Sequence, residues 1–394
     1  MRRPLTPVFL LICACSAAAA QAAPYTPQSD SEVLERLPFK ASAAEGRELR
    51  QLRRAVAEQP QDVERSLALA RRYFDLASAE GDPRYVGYAE AAIRPWSSAA
   101  EPPVAILVMR ALLRQYRHEF DAALADLARA AEHDPGNAEL WSWRSAILLV
   151  QANYAGARAA CDKLAAVASA LLTTACTAAV GGLSGNSAAA YAELSKALSL
   201  RPDVDPQFKL WIQTRLAEMA MRQGSDDLAE RHFREGLALG VTDGFILAAY
   251  ADFLLDHGRP VEVVPLLRDW ERSDILLLRL ALAEKALGLA SAPAHIAMLK
   301  ERFDASALRG DKLHQQEEAR FHLYLQGDAP GALRLAEENY RLQREPRDAR
   351  ILMEAALAAK QVGAAQPALA WLRASGYEDP RYAKLAQQLK DGAR

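Results

Sequence analysis

The sequence lacks any excess of positive charge. Its formal net charge is −2, with 48 lysines and arginines against 50 aspartates and glutamates. That balance offers no basic face for nucleic acid and no polybasic patch for a membrane surface. A long apolar run is also missing beyond the N-terminal segment. The most apolar later stretch, residues 275–290, is broken by Arg279, Glu284 and Lys285, so no transmembrane span is expected. There is no glycine-rich loop closing on Gly-Lys-Ser/Thr and no dinucleotide fingerprint after a strand, and no cofactor is implied. The run Gly181-Gly182-Leu183-Ser184-Gly185 matches a nucleophile elbow only superficially. It sits between helices with no strand before it, and reads as a loop.

Histidine is sparse, with seven in the chain. His314, Glu318 and His322 are spaced to share one helical face. A helix rises 1.5 Å per residue, so the two histidines would stand about 12 Å apart. One zinc ion, whose ligands lie about 2 Å away, cannot take both. The stripe reads as a polar face turned to solvent or to a partner, and no metal site is expected. No convergent acid, base and nucleophile set is visible, so the chain is not expected to be an enzyme.

What is present begins at the N-terminus. Arg2 and Arg3 form a positive end, Val8 to Ala14 a short apolar stretch, and Ala20-Gln21-Ala22 a small-x-small cleavage site. Residues 1–22 therefore read as a signal peptide. A competing cut lies at Ile12-Cys13-Ala14-Cys15, where Cys15 would carry lipid and anchor the protein. Losing Arg2 and Arg3 takes the charge from −2 to −4. Residues 23–42, with prolines at 24, 27 and 38, read as an extended leader holding one short helix near 31–37.

Export leaves Cys161 and Cys176. They fall at matching distances on either side of a turn near Ser169, between a helix over 154–167 and one over 171–180. An antiparallel hairpin brings such positions together, and an oxidising compartment lets them pair. Two small buried thiols are the alternative.

The whole chain is 51% hydrophobic and 25% charged, ample for a buried core. Its strongest pattern is a spacing of 34. Ala123 and Ala157, Phe120 and Tyr154, Leu127 and Cys161, Gly224 and Gly258, and Phe233 and Leu267 each lie 34 apart. A fixed period in that range marks stacked helix-turn-helix units. Small residues let two helices approach, a larger residue four positions on fills the gap to the next unit, and proline ends the second helix. The array is expected over 43–378, with a capping helix and tail over 379–394. The unit around Ala290 is irregular.

Trp141, Ala157 and Pro135, with Leu216-Ala217, Gly224, Ala229 and Phe233, resemble the tetratricopeptide repeat consensus. Gly236, Trp270 and Val263 depart from it. The cysteine pair is similar to that of exported tetratricopeptide proteins of Gram-negative bacteria. The resemblance implies an all-α solenoid, a right-handed superhelix whose first helices line a concave groove. In the chaperone-binding members, lysine and asparagine on those helices clamp a terminal carboxylate. Here the matching positions hold Val108 and Leu112, Ser142 and Ala146, Ala175 and Ala179, Thr214 and Glu218, Ala248 and Asp252. That clamp is missing, which argues against a terminal acidic tail as ligand.

The repeat register assigns groove positions to Trp211, Thr214 and Glu218, then Phe245, Ala248 and Asp252. It continues with Ile275, Leu278 and Leu282, then His314, Glu317 and Phe321. A mainly apolar strip results, suited to an apolar or extended segment of a protein partner. The expectation is a non-catalytic scaffold in the periplasm. A lipid-anchored factor of polysaccharide or outer-membrane assembly is the alternative in the same class, and an enzyme with chemistry grafted on the solenoid the alternative in another.

Overall fold

The computed structural model describes Ser29, residues 44–201 and residues 203–392. The signal peptide, nearly all of the leader with its short helix, and Cys15 lie outside the described residues. Helix α1 (Ala44–Glu58) opens the array. Four hairpins follow, α2 (Val63–Glu80) with α3 (Arg84–Ser97), α4 (Val104–Tyr116) with α5 (Phe120–His133), α6 (Ala138–Val150) with α7 (Tyr154–Ala165), and α8 (Ala170–Leu183) with α9 (Ser187–Ser199). The next three are α10 (Pro206–Arg222) with α11 (Asp226–Leu237), α12 (Gly244–Asp256) with α13 (Pro260–Leu267), and α14 (Asp274–Leu287) with α15 (Ala292–Leu308). Helix α16 (Gln315–Arg320) widens into a π-turn at Phe321–Gln326 before α17 (Ala329–Leu342). Then α18 (Pro346–Ala358), a 3-10 turn at Val362–Ala365, α19 (Gln366–Ser375) and α20 (Pro380–Asp391) close the chain. No strand occurs among the described residues. The protein is an all-α solenoid of stacked helix-turn-helix units.

Local chemistry sets these boundaries. Asn137, Asp205 and Asp243 cap α6, α10 and α12 by accepting from backbone N–H groups of the first turn. Small residues at the period mark the close approaches, with Ala123, Ala157 and Ala229 fully buried between paired helices. The expected bridge is present: Cys161 on α7 and Cys176 on α8 are joined, with their Cα atoms 5.7 Å apart.

The irregular unit has a simple explanation. The turn after α14 falls at Gly288, only 30 residues past its counterpart Gly258, and both glycines are left-handed with φ of 67°. Helix α15 then runs for 17 residues, against 12 in α11 and 8 in α13. The short α13 brings α14 in early and the long α15 makes up the difference, so the next unit returns to register.

The array coils until its end meets its beginning. Arg344 N donates to Val150 O at 2.8 Å, and Trp371 Nε1 donates to Tyr154 OH at 2.8 Å. Gln343 meets His118 across the same seam. Two glycines, Gly185 and Gly376, with φ of 77° and 64°, touch backbone to backbone. A Cβ added to Gly185 would stand 3.2 Å from Gly376 O, whereas one added to Gly224, at φ 68°, meets nothing within 4 Å. Gly224→Ala carries only the left-handed backbone cost, about 1–2 kcal/mol. Gly185→Ala carries that cost plus a clash with rigid backbone. It is expected to lower the unfolding midpoint more than Gly224→Ala and to widen the radius of gyration in X-ray scattering, which Gly224→Ala leaves unchanged.

Candidate functional site

Coiling creates an interior channel with two chambers. The first is an aromatic cleft of about 680 Å³ between α2, α4 and α6 on one side and α10 and α12 on the other. Phe74, Tyr116, Trp143, Phe208, Trp211 and Phe245 line it, each half-buried. Phe74 meets Trp143 edge to face at 6.1 Å, and Phe208 stacks on Trp211 at 6.2 Å. Their ring faces are only partly covered by protein, which leaves apolar area free to contact a ligand.

The second chamber, about 500 Å³, lies between α10, α12, α14 and α16 and the C-terminal helices α18 and α20. Seven arginines line it, at 215, 222, 279, 320, 347, 350 and 381, against five carboxylates, Glu218, Asp252, Asp256, Glu345 and Glu354. Most of these charges are tied together. Asp252 accepts from Arg279 Nη2 at 2.7 Å and from Arg320 Nη2 at 2.8 Å. Asp256 accepts from Arg350 at 2.7 and 2.8 Å and from Arg381 Nη1 at 2.7 Å. Arg222 donates to Gly182 O at 2.8 Å and lies over the Tyr377 ring at 5.3 Å. These pairs link α12 to α14, α16, α18 and α20, so they hold the wall of the chamber.

The electrostatics follow from that geometry. Burial alone would raise the Asp252 carboxyl, but the Arg279 and Arg320 guanidiniums outweigh it and hold the group well below the usual carboxylate range. Arg350 and Arg381 draw Asp256 down in the same way. At the seam, burial first and His314 next push His118 down to about 4, so its ring stays neutral.

Of the residues expected in the groove, the structure brings together Glu218, Phe245, Asp252 and Leu282 in the arginine-lined chamber, and Trp211 with Phe245 in the aromatic cleft. Thr214 also lines the aromatic cleft and Ala248 the arginine-lined chamber, whereas the remaining positions do not face the channel. Leu278 is 0% exposed and Phe321 2%, with Phe321 packed on Phe303 at 5.3 Å. Ile275 packs against the central core, and Glu317 is buried. His314 lines a separate cleft beside α2, α3 and α15 and sits just before α16. His322 pairs with Asp328 at 2.8 Å and stands 4.0 Å from Glu318, off the channel. The expected apolar strip is therefore corrected to an aromatic cleft that opens on an arginine-rich chamber.

The correction has one cause. The groove register was shifted at the irregular unit, whereas the period of 34 runs through it. Trp211, Phe245, Arg279 and Arg347 lie on one 34-residue series, and Glu218, Asp252, Arg320 and Glu354 on another. All eight line the channel. At α14 the expected positions Ile275, Leu278 and Leu282 fall four residues before Arg279, Leu282 and Ala286 of the strict period. At α16 the expected positions fall one residue after it, so that Phe321 stands for Arg320 on a face rotated by about 100° into the core. The strict period was the signal that would have found the arginines.

Among the described residues, no group of three or more His, Cys, Asp or Glu side chains is placed to hold a metal ion. No described helix is long and apolar enough to cross a membrane. The fold and site define a helical-repeat protein with a mixed aromatic and charged interior channel. No family model matches the chain, and no curated protein matches it. Solved structures similar to it include the APC/C hetero-tetramer Cut9–Hcn1, with a TM-score of 0.47 and 15% identity, covering 89% of this chain and 73% of that one. The tetratricopeptide domain of P58(IPK) has a TM-score of 0.21 and 15% identity, covering 82% of this chain and 95% of that one.

Proposed function

We propose that the protein is a non-catalytic binding scaffold that takes an extended segment of a partner protein into its interior channel. The aromatic cleft carries this reading. Six half-buried aromatic side chains face one space of about 680 Å³ in a chain that is only 7% aromatic. Convergent, part-exposed aromatic groups in a concave site supply most of the contact energy in protein recognition. The period itself supports it, since solenoids present long inner surfaces to partners.

The scaffold acts after export. Arg2, Arg3 and Ala20-Gln21-Ala22 support a signal peptide, and the Cys161–Cys176 bridge suits an oxidising compartment such as the periplasm. Mass spectrometry of the exported protein is expected to give an N-terminus at Ala23. An acylated Cys15 would place it on a lipid anchor instead.

The binding test is a double substitution. Trp211→Ala with Phe245→Ala is expected to abolish capture of the partner from envelope extract while shifting the melting temperature by a few degrees at most. Each anchor is worth about 2 kcal/mol or more of binding on truncation. A large fall in melting temperature with capture retained would show that the two rings serve packing alone.

A further inference from the structure

The two chambers of the channel meet at Arg215, Phe245, Glu345 and Arg347, which line both. Phe245 is the centre of this waist. The Arg215 guanidinium carbon lies 4.8 Å from its ring centroid and that of Arg347 lies 5.5 Å away. Planar guanidiniums over an aromatic ring are held in place by the ring's negative face while their edges stay free to donate.

These two arginines differ from the rest of the chamber. Arg320, Arg350 and Arg381 each give several donors to Asp252, Asp256, Glu354 or Asp379, and Arg279, bonded to Asp252 and Ile275 O, is closed in at 1% exposure. Arg347 gives a single bond, Nη2 to Glu345 at 2.6 Å, and 44% of its side chain is exposed. Arg215 meets Glu218 at 2.9 Å through Nη1, and its buried Nε has no hydrogen-bond partner. A guanidinium carries five N–H donors. The waist therefore holds unspent donors, in a chamber whose lining already counts seven arginines against five carboxylates.

We propose that Arg215 and Arg347, stacked on Phe245, form the recognition point for an acidic side chain on the partner's segment, next to an aromatic or aliphatic one. This rests on the scaffold reading above. The apolar side chain enters the aromatic cleft. The carboxylate two residues or fewer away meets the free edge of Arg347 and is joined by Arg215. Charge complementarity selects this occupant: a cationic segment would face seven guanidiniums, and a neutral one would leave the spare donors unused. Charge-assisted bonds to a fork of this kind contribute about 1.5–3 kcal/mol each, which is tenfold or more in affinity. Glu345 already occupies part of Arg347, so it competes with the incoming carboxylate.

Calorimetric titration of the mature protein tests the proposal with two acetylated, amidated hexapeptides. One has a phenylalanine flanked by two glutamates in a glycine-serine context, and the other replaces both glutamates by glutamine. Free glutarate is the third probe. The glutamate peptide is expected to bind about tenfold more tightly than the glutamine peptide. R347M, whose straight stem still covers Phe245, should remove that tenfold advantage and leave the glutamine peptide within about twofold. E345Q should move the other way and tighten the glutamate peptide. A purely structural role for the pair would weaken both peptides in both variants, and that result overturns the proposal. Equal affinity of the two peptides for the folded wild type also overturns it. If the glutamine peptide still binds and Trp211→Ala removes it, the scaffold reading survives that failure. Glutarate binding as tightly as the glutamate peptide would show a small-anion site and overturn the peptide assignment. Failure of both peptides to bind would overturn both readings.

Discussion

Asp252→Ala is expected to destabilise the protein by about 3–5 kcal/mol, the largest loss from any single charged residue in the channel. Among the described residues Asp252 is the one side chain that accepts from Arg279, whose remaining bond runs from Nη1 to Ile275 O at 2.7 Å. Arg279 is 1% exposed and cannot turn to water. Removing Asp252 leaves that charge buried without a counter-ion, and it also frees Arg320. Asp252→Asn keeps the hydrogen-bonding oxygen and loses the charge, so its cost is smaller. Pairing Asp252→Ala with Arg279→Met removes the stranded charge and is expected to recover part of the loss. Urea denaturation checks this ordering: the midpoint should fall with an unchanged slope, furthest for Asp252→Ala alone. No recovery in the double variant would mean that the arginine is not what the carboxylate stabilises.

The same pair fixes the acid limit of stability. Asp252 and Asp256 both have folded pKa values below those of the unfolded chain. A carboxylate depressed in this way binds its proton more readily when unfolded. Its contribution is fully present above the unfolded value of about 3.9 and is lost as the pH falls through the folded values. The neutral His118, depressed to about 4, adds an earlier loss beginning near pH 6.5, because the unfolded ring takes up a proton first. The buried His232 adds to the His118 loss, while the buried Asp348, raised to about 7 chiefly by desolvation, works the other way between pH 7 and 4. The steep decline in melting temperature is therefore expected below pH 4, and Asp252→Asn should blunt it. His118→Gln should lessen the fall in melting temperature between about pH 8 and pH 5 relative to the wild type.

Much of the solenoid was legible because its physics is local. Glycines at 224 and 258 and alanines at 123 and 157 each act within one hairpin, and each pair leaves its trace at a spacing of 34. The pairing of Cys161 with Cys176 was readable for the same reason, since one turn sets the register of both helices. The channel was only half legible. Trp211, Glu218, Phe245 and Asp252 were placed correctly because α10 and α12 keep ordinary lengths. The error entered at α14, where Gly288 comes early and suggests a new phase that α15 then cancels. Ile275 thus stands four residues before Arg279, and Phe321 one residue after Arg320.

The arginine chamber was further hidden by summation. A net charge of −2 says nothing about how charges are sorted between inside and outside. The first helices carry Arg215, Arg222, Arg279, Arg320, Arg347 and Arg350 inward, while many acids lie on outer faces. Closure of the array is not local at all. Trp371 and Tyr154 are 217 residues apart, Gln343 and His118 are 225 apart, and Arg222 and Tyr377 are 155 apart. No spacing rule within a unit can announce such contacts, because they depend on the accumulated twist of every unit between them.

Reducing the Cys161–Cys176 bridge is expected to cost about 3 kcal/mol, the second large effect. The bridge closes a loop with a sequence separation of 15. In the chain-entropy account, cross-linking a loop of that size removes about 3 kcal/mol of unfolded-state freedom. Both sulfurs also sit in a packed site, with Cys161 fully buried among Leu148, Leu164 and Val180. The packing matters for the choice of variant. Serine at 161 would place a hydroxyl in an apolar cluster, beside Ser145 Oγ, which lies 3.3 Å from the sulfur. Alanine at both positions removes the bridge without that added polar burden. Urea midpoints of the oxidised wild type, the same protein with reductant, and Cys161→Ala with Cys176→Ala should separate the two contributions. Reductant isolates the cross-link, and the alanine pair adds the lost sulfur packing, so it should fall further. The α7–α8 hairpin lies beside the Gly185–Gly376 seam, so hydrogen exchange in 154–186 and in 371–377 is expected to quicken together on reduction. Faster exchange confined to 154–186 would mean that the bridge stabilises its own hairpin and leaves the closed channel untouched.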